Sequence, residues 1–547
     1  MPNISSVRTP VGAAQFGQKR LLPLVFQFHR AEWGVVPHNR CGVPRNEAPI
    51  SRLTVGHHCC FWMQKMPLLV FLILLVFVVE VPALESSGNA AWIDAARSKY
   101  NIPGVSVAIV EKGKPVQFYS SGFCNLELAI ACNENHRLPI GSVTKSITGL
   151  LAATLEAEKR IDFDSPVVRY WPQLRLPDKR TDEITLRDLL TQQGGLGSID
   201  WPYIWDSRLT TQDYLDRVHS TPSARPFRTG FFYANANFVL AGKILEQVTK
   251  SSWRSQVTER LLLPLGMTNS GFAPPAALTV GYGPSTAGRL EPFPYISPEA
   301  IEPAGGLVTT AKDYARLISM LLDDGKWQGK QIVPAAAVQT TLSSPGNKRG
   351  GYGLGLGFTR FREQTLFHHL GANAGYSAAV ILVPGKWGAI VLTNLTASVF
   401  PEGLSFALLD RHLGNAGDDT LVKFAGPLPS ASTKPITSVI ALTENAASDF
   451  AGLYNHPAWG TFAVEASGQL LQIRMGDFLA PLDSASGDSF SFLSAPGWER
   501  LKVTFQRNAD TKVTGLLMDD GSNPSLQSFG KLTPKADSRV FGRTAEK

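Results

Sequence analysis

The sequence predicts an α+β domain followed by a small all-β antiparallel barrel. Three observations carry that reading. Strand-like runs stand at both ends of residues 88–414 while helical periodicity fills the middle, periodicity then lapses over 415–445, and short alternating runs recur from 446 to 536. Helices and strands segregated along the chain argue α+β rather than alternating α/β. Short strands at even spacing between turn residues argue a barrel or sandwich. At 547 residues the chain exceeds what a single core holds, so two or more domains are expected.

Residues 1–62 lack sustained periodicity and read as a disordered leader or as sequence upstream of the true start. They carry seven Lys/Arg against two Glu, +5 of the formal +7, so the remainder has no charge excess that argues for nucleic acid. Met63-Gln64-Lys65-Met66 introduces an apolar run from Pro67 to Val79, closed by Glu80-Val81-Pro82-Ala83. A short basic start, an apolar core and small residues at 81 and 83 fit an export signal at 63–83, cleaved after Ala83. The run is short for a membrane span, which needs about 20 residues. Initiation at Met63 or Met66 gives a secreted or extracytoplasmic protein; the alternative is a membrane anchor over 66–84. Of the five cysteines, Cys41, Cys59 and Cys60 precede the signal. Cys124 and Cys132 remain, free to pair in an exported protein or to stay as two buried thiols.

After the signal, Trp92, Ile93, Ala96 and Tyr100 mark a short amphipathic helix. Val105 to Val110 and Val116 to Tyr119 flank the turn Glu111-Lys112-Gly113-Lys114 as a hairpin. A helix follows from the apolar run Ile147, Leu150, Leu151, Leu155, and another is entered at Thr185 and ended by Gly194-Gly195. The pattern stays helical to about 275, and Thr310 with Asp313 opens a helix over Ala311 to Leu322 with a capping-box-like signature. Gly350 to Phe358 reads as a strand whose glycines let a neighbour approach closely. Ser377 to Val383 and Gly388 to Thr393 form an antiparallel pair about Pro384-Gly385-Lys386, and a helix from Leu404 to Leu413 closes the domain. Residues 415–445 read as a linker. Beyond it, Leu501-Lys502-Val503-Thr504-Phe505-Gln506 alternates strictly, as a half-buried strand does.

The chemistry-bearing stretch is Gly141-Ser142-Val143-Thr144-Lys145. Ser142 lies at the mouth of a buried helix with Lys145 one turn on, so the two side chains share a face. A serine hydroxyl is a poor nucleophile until a base takes its proton, and a lysine serves only when burial lowers its pKa toward neutrality. Ser528-Phe529-Gly530-Lys531 repeats the spacing in a strand-like tail with no helix behind it, so the spacing alone is weak. Two further stretches add to it: Tyr233-Ala234-Asn235 just before a helix, and His368-His369-Leu370-Gly371-Ala372 leading into a strand. Taken singly, Tyr233 is a core aromatic, Asn235 a cap residue and His369 a surface residue.

Taken in chain order, these motifs resemble the penicillin-recognising serine hydrolases, which include class C β-lactamases, D-Ala-D-Ala carboxypeptidases and related esterases and D-aminopeptidases. Leu189-Leu190-Thr191, Pro303-Ala304-Gly305-Gly306-Leu307 and Val391-Leu392-Thr393-Asn394 look like the same framework. The tail from Phe450-Ala451-Gly452-Leu453-Tyr454 resembles the lipocalin-like domain appended to some serine peptidases of this group. The resemblance implies a β-lactamase/transpeptidase-like domain, an antiparallel sheet flanked by helices with a helical lobe. It implies Ser142 as acylated nucleophile, with Lys145 and Tyr233 as a proton-relay pair whose phenol is pulled down by the neighbouring ammonium. Asn235 would orient Lys145 and the substrate amide, His369 and Gly371 would line the substrate strand, and the backbone N–H groups of Ser142 and Ala372 would make the oxyanion hole.

Many members have lysine where His369 stands. A histidine, only partly charged at neutral pH, is expected to hold carboxylates less well, and increasingly so as pH rises through about 7. The expected partner is a small-molecule or peptide substrate without a cofactor, with homo-oligomerisation through the C-terminal domain. The competing readings are a catalytically silent ligand-binding or sensor protein with the same fold, and a metal hydrolase, for which the adjacent His368-His369 pair has no evident co-ligands.

Overall fold

The computed structural model describes residues 84–531, apart from 177–179, 198, 201–202, 204–205, 207, 219–220, 222, 276–278, 285–288, 345–349, 427–442, 457–458, 477, 494–499 and 520–526. The leader and signal expected over 1–83, most of the expected linker and the last residues of the expected barrel segment lie outside that range.

The first domain is built on one eight-stranded sheet. Its strands are β1 (Gly104–Glu111), β2 (Gln117–Asn125), β3 (Ile130–Ala131), β4 (Gly350–Tyr352), β5 (Gly357–Phe361), β6 (Gln364–Asn373), β7 (Tyr376–Val383) and β8 (Trp387–Thr393), in the order β4-β5-β6-β7-β8-β1-β2-β3. The N-terminal strand pairs antiparallel with the last one, Val107 opposite Val391, which closes the domain on itself. Helix α1 (Leu84–Lys99) precedes them, between them lie α2 (Thr144–Ala157), α3 (Leu186–Leu190), α4 (Thr211–Val218), α5 (Asn235–Thr249) and α6 (Ala311–Leu322), and after them α7 (Phe400–His412) and α8 (Asp418–Ala425).

Both faces of the sheet are covered, which is why β1, β7 and β8 are buried along nearly their whole length and are mostly apolar although the sheet is antiparallel. Successive side chains alternate between faces. Ala108, Val110, Val380 and Ile390 join the core that holds α2 and the helical lobe, while Val107, Ile109, Ile381 and Val391 join a second core with Ile93 and Tyr100 of α1 and Phe400 and Leu404 of α7. Each such aliphatic side chain contributes roughly 1.5–3 kcal/mol by burial.

Local signals place the helices. The Thr185 side chain caps α3 in a reciprocal box with Asp188, and Thr310 caps α6 by accepting from the Asp313 N–H. Two expectations are corrected. The glycine-rich run at 350–358 is not one strand: it breaks between β4 and β5 because a turn there seats on α2. A side chain at Gly149 of α2 would stand 2.0 Å from the Leu354 carbonyl oxygen, and one at Gly355 (φ +83) 2.2 Å from that of Lys145. The close approach expected of these glycines is made to a helix. The segment read as a linker over 415–445 begins as helix α8, which buries Thr420, Leu421 and Ala425 and is tied to α7 by the Thr420 hydroxyl donating to Asp410 Oδ2 at 2.6 Å.

The second domain is a closed barrel of eight antiparallel strands in sequential order, β9 (Gly452–His456), β10 (Gly460–Ser467), β11 (Leu470–Met475), β12 (Phe478–Ser486), β13 (Ser489–Leu493), β14 (Arg500–Arg507), β15 (Val513–Asp519) and β16 (Gln527–Lys531). It closes where Tyr454 pairs with Lys531. The alternation read at 501–506 is realised: Leu501, Val503 and Phe505 point into a packed interior with Phe462, Ile473, Phe490 and Leu516. Closure removes the exposed edges that a free sheet would leave.

Candidate active site

Ser142 sits on a 3-10 turn, Gly141–Val143, that runs directly into α2. Lys145, one turn on, is fully buried, and its amine reaches three oxygens: Ser142 Oγ at 2.9 Å, Asn235 Oδ1 at 2.6 Å and the Ala304 carbonyl at 2.9 Å. The Tyr233 hydroxyl donates to Ser142 Oγ at 2.7 Å. Three segments far apart in the chain therefore converge on the Lys145 amine, and two of them meet at the Ser142 hydroxyl oxygen.

Each segment is held in place by identifiable contacts. Gln192, left-handed at φ +58 just past α3, accepts through its side-chain oxygen from the Ala234 N–H at 3.0 Å and from Asn237 Nδ2 at 2.5 Å, and its carbonyl takes the Phe232 N–H at 2.9 Å. This fixes the Tyr233–Asn235 stretch at the start of α5. The Gly141 turn and β6 meet backbone to backbone. A side chain at Gly371 would stand 1.9 Å from the Ile140 carbonyl oxygen, and one at Gly141 (φ +48) 2.5 Å from the Ala372 nitrogen. Only glycine at both positions allows that approach, and the amide nitrogens of Ser142 and Ala372 flank it.

The electrostatics differ from expectation at two residues. Burial lowers the Lys145 pKa to about 7, with the Asp200 carboxylate pulling modestly the other way. The amine is thus poised to be neutral near physiological pH. Tyr233 is not pulled down: burial around its hydroxyl raises its pKa well above the usual tyrosine value and outweighs the hydrogen bond to Ser142. A lysine that is itself half neutral supplies too little positive charge to reverse that. His369 is not a partial cation either. Its pKa is lowered to about 3, first by burial and then by Lys145. Its Nδ1 lies 2.6 Å from the Leu370 carbonyl oxygen, to which it must donate, and its Nε2 lies 2.9 Å from the Tyr352 hydroxyl, from which it accepts. The expected loss of carboxylate binding through pH 7 has no titrating imidazole behind it.

Beside Ser142 opens a cleft of about 240 Å³, lined by Asn235, Ala304, Leu370 and Ala372 and walled by Tyr203 and Pro298. Cys124 and Cys132 are joined as a disulfide. Among the described residues, no three His, Cys, Asp or Glu side chains gather as a metal site.

Four contributors were missed in the sequence. The Ala304 carbonyl is a backbone acceptor that no side-chain motif announces, although its Pro303–Leu307 phrase is recognisable. Gln192, Tyr352 and Tyr203 act through register and loop placement.

A family model described as Beta-lactamase matches residues 89–411, more than half of the chain. The chain belongs to the Beta-lactamase family. Within the family's reach, it is 26% identical over 322 residues to Protein flp of Staphylococcus aureus, a match covering 56% of this chain and 62% of that protein, so the chain spans less than two thirds of that relative. It is 26% identical over 332 residues to Penicillin-binding protein 4 of Amycolatopsis lactamdurans, covering 56% of this chain and 85% of that one. Among solved structures, the octameric penicillin-binding protein homologue from Pyrococcus abyssi superposes with a TM-score of 0.54 at 22% identity, covering 82% of this chain and all of that one. At that identity the likeness concerns the fold, and its extent takes in more of this chain than the Beta-lactamase region alone.

Proposed function

We propose that this protein is a serine hydrolase acting through an acyl-enzyme on an amide or ester, with D-amino-acid peptides, esters and β-lactam-like compounds as its substrate class. The observation that carries this is the meeting of Lys145 Nζ and the Tyr233 hydroxyl at Ser142 Oγ, 2.9 and 2.7 Å away. Family membership and the relative named as a penicillin-binding protein support the same chemistry.

In this proposal Lys145 is the acylation base and Tyr233 the acid. A neutral Lys145 keeps its two N–H groups on Asn235 Oδ1 and the Ala304 carbonyl, which aims its lone pair at Ser142. As Ser142 Oγ bonds to the substrate carbonyl carbon, its proton passes to Lys145. Charge developing on the carbonyl oxygen is met by the N–H groups of Ser142 and Ala372, donors typically worth about 100-fold or more in rate each. Tyr233, held protonated, turns to the leaving nitrogen or oxygen and gives it a proton as the bond breaks. The Lys145 ammonium, 4.8 Å from the Tyr233 ring centroid, restores that proton. Water then repeats the sequence on the acyl-serine: Lys145 takes the water proton, and Ser142 Oγ leaves with one from Tyr233.

We further place the protein outside the cytoplasm, a location favoured by the Cys124–Cys132 disulfide and by the signal-like sequence at 63–83. The octameric state named for the Pyrococcus abyssi homologue makes a homo-oligomer through the barrel part of the same proposal. Among the described residues no helix is long and apolar enough to cross a membrane.

The test is hydrolysis of p-nitrophenyl acetate by the parent and by Ser142→Ala. Turnover in the parent, lost by at least about 10³-fold in the variant, is expected. Turnover that survives the substitution, or none in the parent with any acylating ester, overturns the reading and leaves a ligand-binding protein of the same fold.

A further inference from the structure

Resting on the acyl-enzyme reading above, we propose that the site selects substrates that are uncharged around the scissile bond and apolar in their acyl group, with Phe231 and Tyr352 as the residues that impose the choice.

The first observation is what β6 offers a substrate. Both ring nitrogens of His369 are occupied: Nδ1 donates to the Leu370 carbonyl, and Nε2 accepts from the Tyr352 hydroxyl. No N–H of that ring is left to meet a carboxylate. Tyr352 reaches it through strand register, since Tyr352 of β4 stands opposite Gly357 of β5, which stands opposite His368 of β6. Among the described residues lining the cleft there is no lysine, arginine or histidine. Lys145 lies beneath Ser142 with its amine spent on three oxygens. Arg225, near the Phe231 stretch, donates to the Phe231 carbonyl at 2.9 Å. A carboxylate brought into this site gives up its water shell without gaining a cation, which is costly.

The second observation is an arc of aromatic rings that ends at the reacting hydroxyl. Phe231 stands 5.3 Å from Tyr352, Tyr352 stands 5.7 Å from His369, His369 stands 6.1 Å from Tyr233, and Tyr233 touches Ser142. Phe231 and Tyr233 themselves are 6.4 Å apart. Two members of the arc are left open to solvent, Phe231 at 50% and Tyr233 at 37% exposure. Exposed aromatic surface beside a reactive group is surface that a bound molecule can cover, and rings offer large contact at low conformational cost. The Tyr352 hydroxyl turns inward to His369, so the arc presents carbon to the substrate.

Three chromogenic esters test this on the full chain: p-nitrophenyl butyrate, mono-p-nitrophenyl succinate with a carboxylate on the acyl side, and 3-carboxy-4-nitrophenyl butyrate with one on the leaving side. The neutral ester is expected to exceed each charged one by at least about tenfold in kcat/KM. Phe231→Ala, at an exposed position that folding tolerates, should lower kcat/KM for p-nitrophenyl butyrate about tenfold, mainly through KM, and change the succinate ester far less. Tyr352→Phe, which removes the donor that keeps Nε2 of His369 an acceptor and so lets the ring take up a proton there to meet a carboxylate, should narrow the neutral-to-charged ratio at least about threefold. Equal or better use of either charged ester by the parent overturns the proposal, as does a ratio that neither substitution moves. Failure of all three esters to acylate Ser142, read by intact mass, instead removes the hydrolase reading on which the proposal stands.

Discussion

In the proposed mechanism Lys145 decides whether Ser142 can react, because its charge state is set by burial rather than by a partner. With its pKa lowered to about 7, the amine gains its lone pair as pH rises through that value. The expected profile of kcat/KM for a neutral ester is therefore a rising limb with an apparent pKa near 7 and a plateau above it. His369 adds no second limb there, since it is already neutral well below that range. Measured kcat/KM from pH 5 to 9 checks this; a profile that is flat, or that falls through 7, contradicts Lys145 as the base. The residue pair at 142 and 145 was legible in the sequence because three residues along a helix is one turn. The protonation states were not. Desolvation around the Tyr233 hydroxyl and burial of His369 depend on what other segments bring to them, and a motif carries the residue type without its solvation.

Strand β6 and the Gly141 turn form the element contact on which the proposed oxyanion site depends. Adding one methyl at Gly371 places an atom 1.9 Å from the Ile140 carbonyl oxygen, so strand and turn must separate by more than an ångström. Gly371→Ala is expected to lower kcat by at least about 100-fold while costing roughly 1–3 kcal/mol of stability, because the N–H pair at Ser142 and Ala372 loses its geometry before the fold is lost. Stopped-flow acylation rates beside urea unfolding separate the two effects; loss of both in proportion makes the contact merely structural. At this scale the sequence was partly readable. Thr185 and Thr310 announced their helices, and the alternation at 501–506 announced its strand. The break at 353–356 was hidden, since a run of glycines fits a strand until a helix carrying Gly149 is known to lie against it. The partner of His369 was hidden for a similar reason, as Tyr352 reaches it only across three strands in register.

The whole molecule joins the barrel to the wall of the cleft. Arg217 of α4 donates to the Trp459 carbonyl of the barrel at 3.4 Å, and its guanidinium stands 5.5 Å from the ring of Tyr203, which lines the cleft. Nearby, a side chain at Gly476 (φ +59) would strike Asp206 of the same loop, so the barrel turn and the loop fit closely. Arg217→Ala is expected to raise KM about three- to tenfold with kcat changed less, since it loosens a wall and leaves Ser142 untouched. An unchanged KM in steady-state kinetics contradicts that coupling. The division into an α+β domain and a barrel was visible in the pattern of runs, whereas the contact between them was not, because neither Arg217 nor Trp459 belongs to any periodic signal. The most direct measurement of the central claim is peptide mapping of the parent after a brief quench with a slowly released ester. The acyl mass is predicted on the tryptic peptide covering residues 138–145, carried by Ser142; turnover with that peptide unmodified, or an adduct on another residue, contradicts the account.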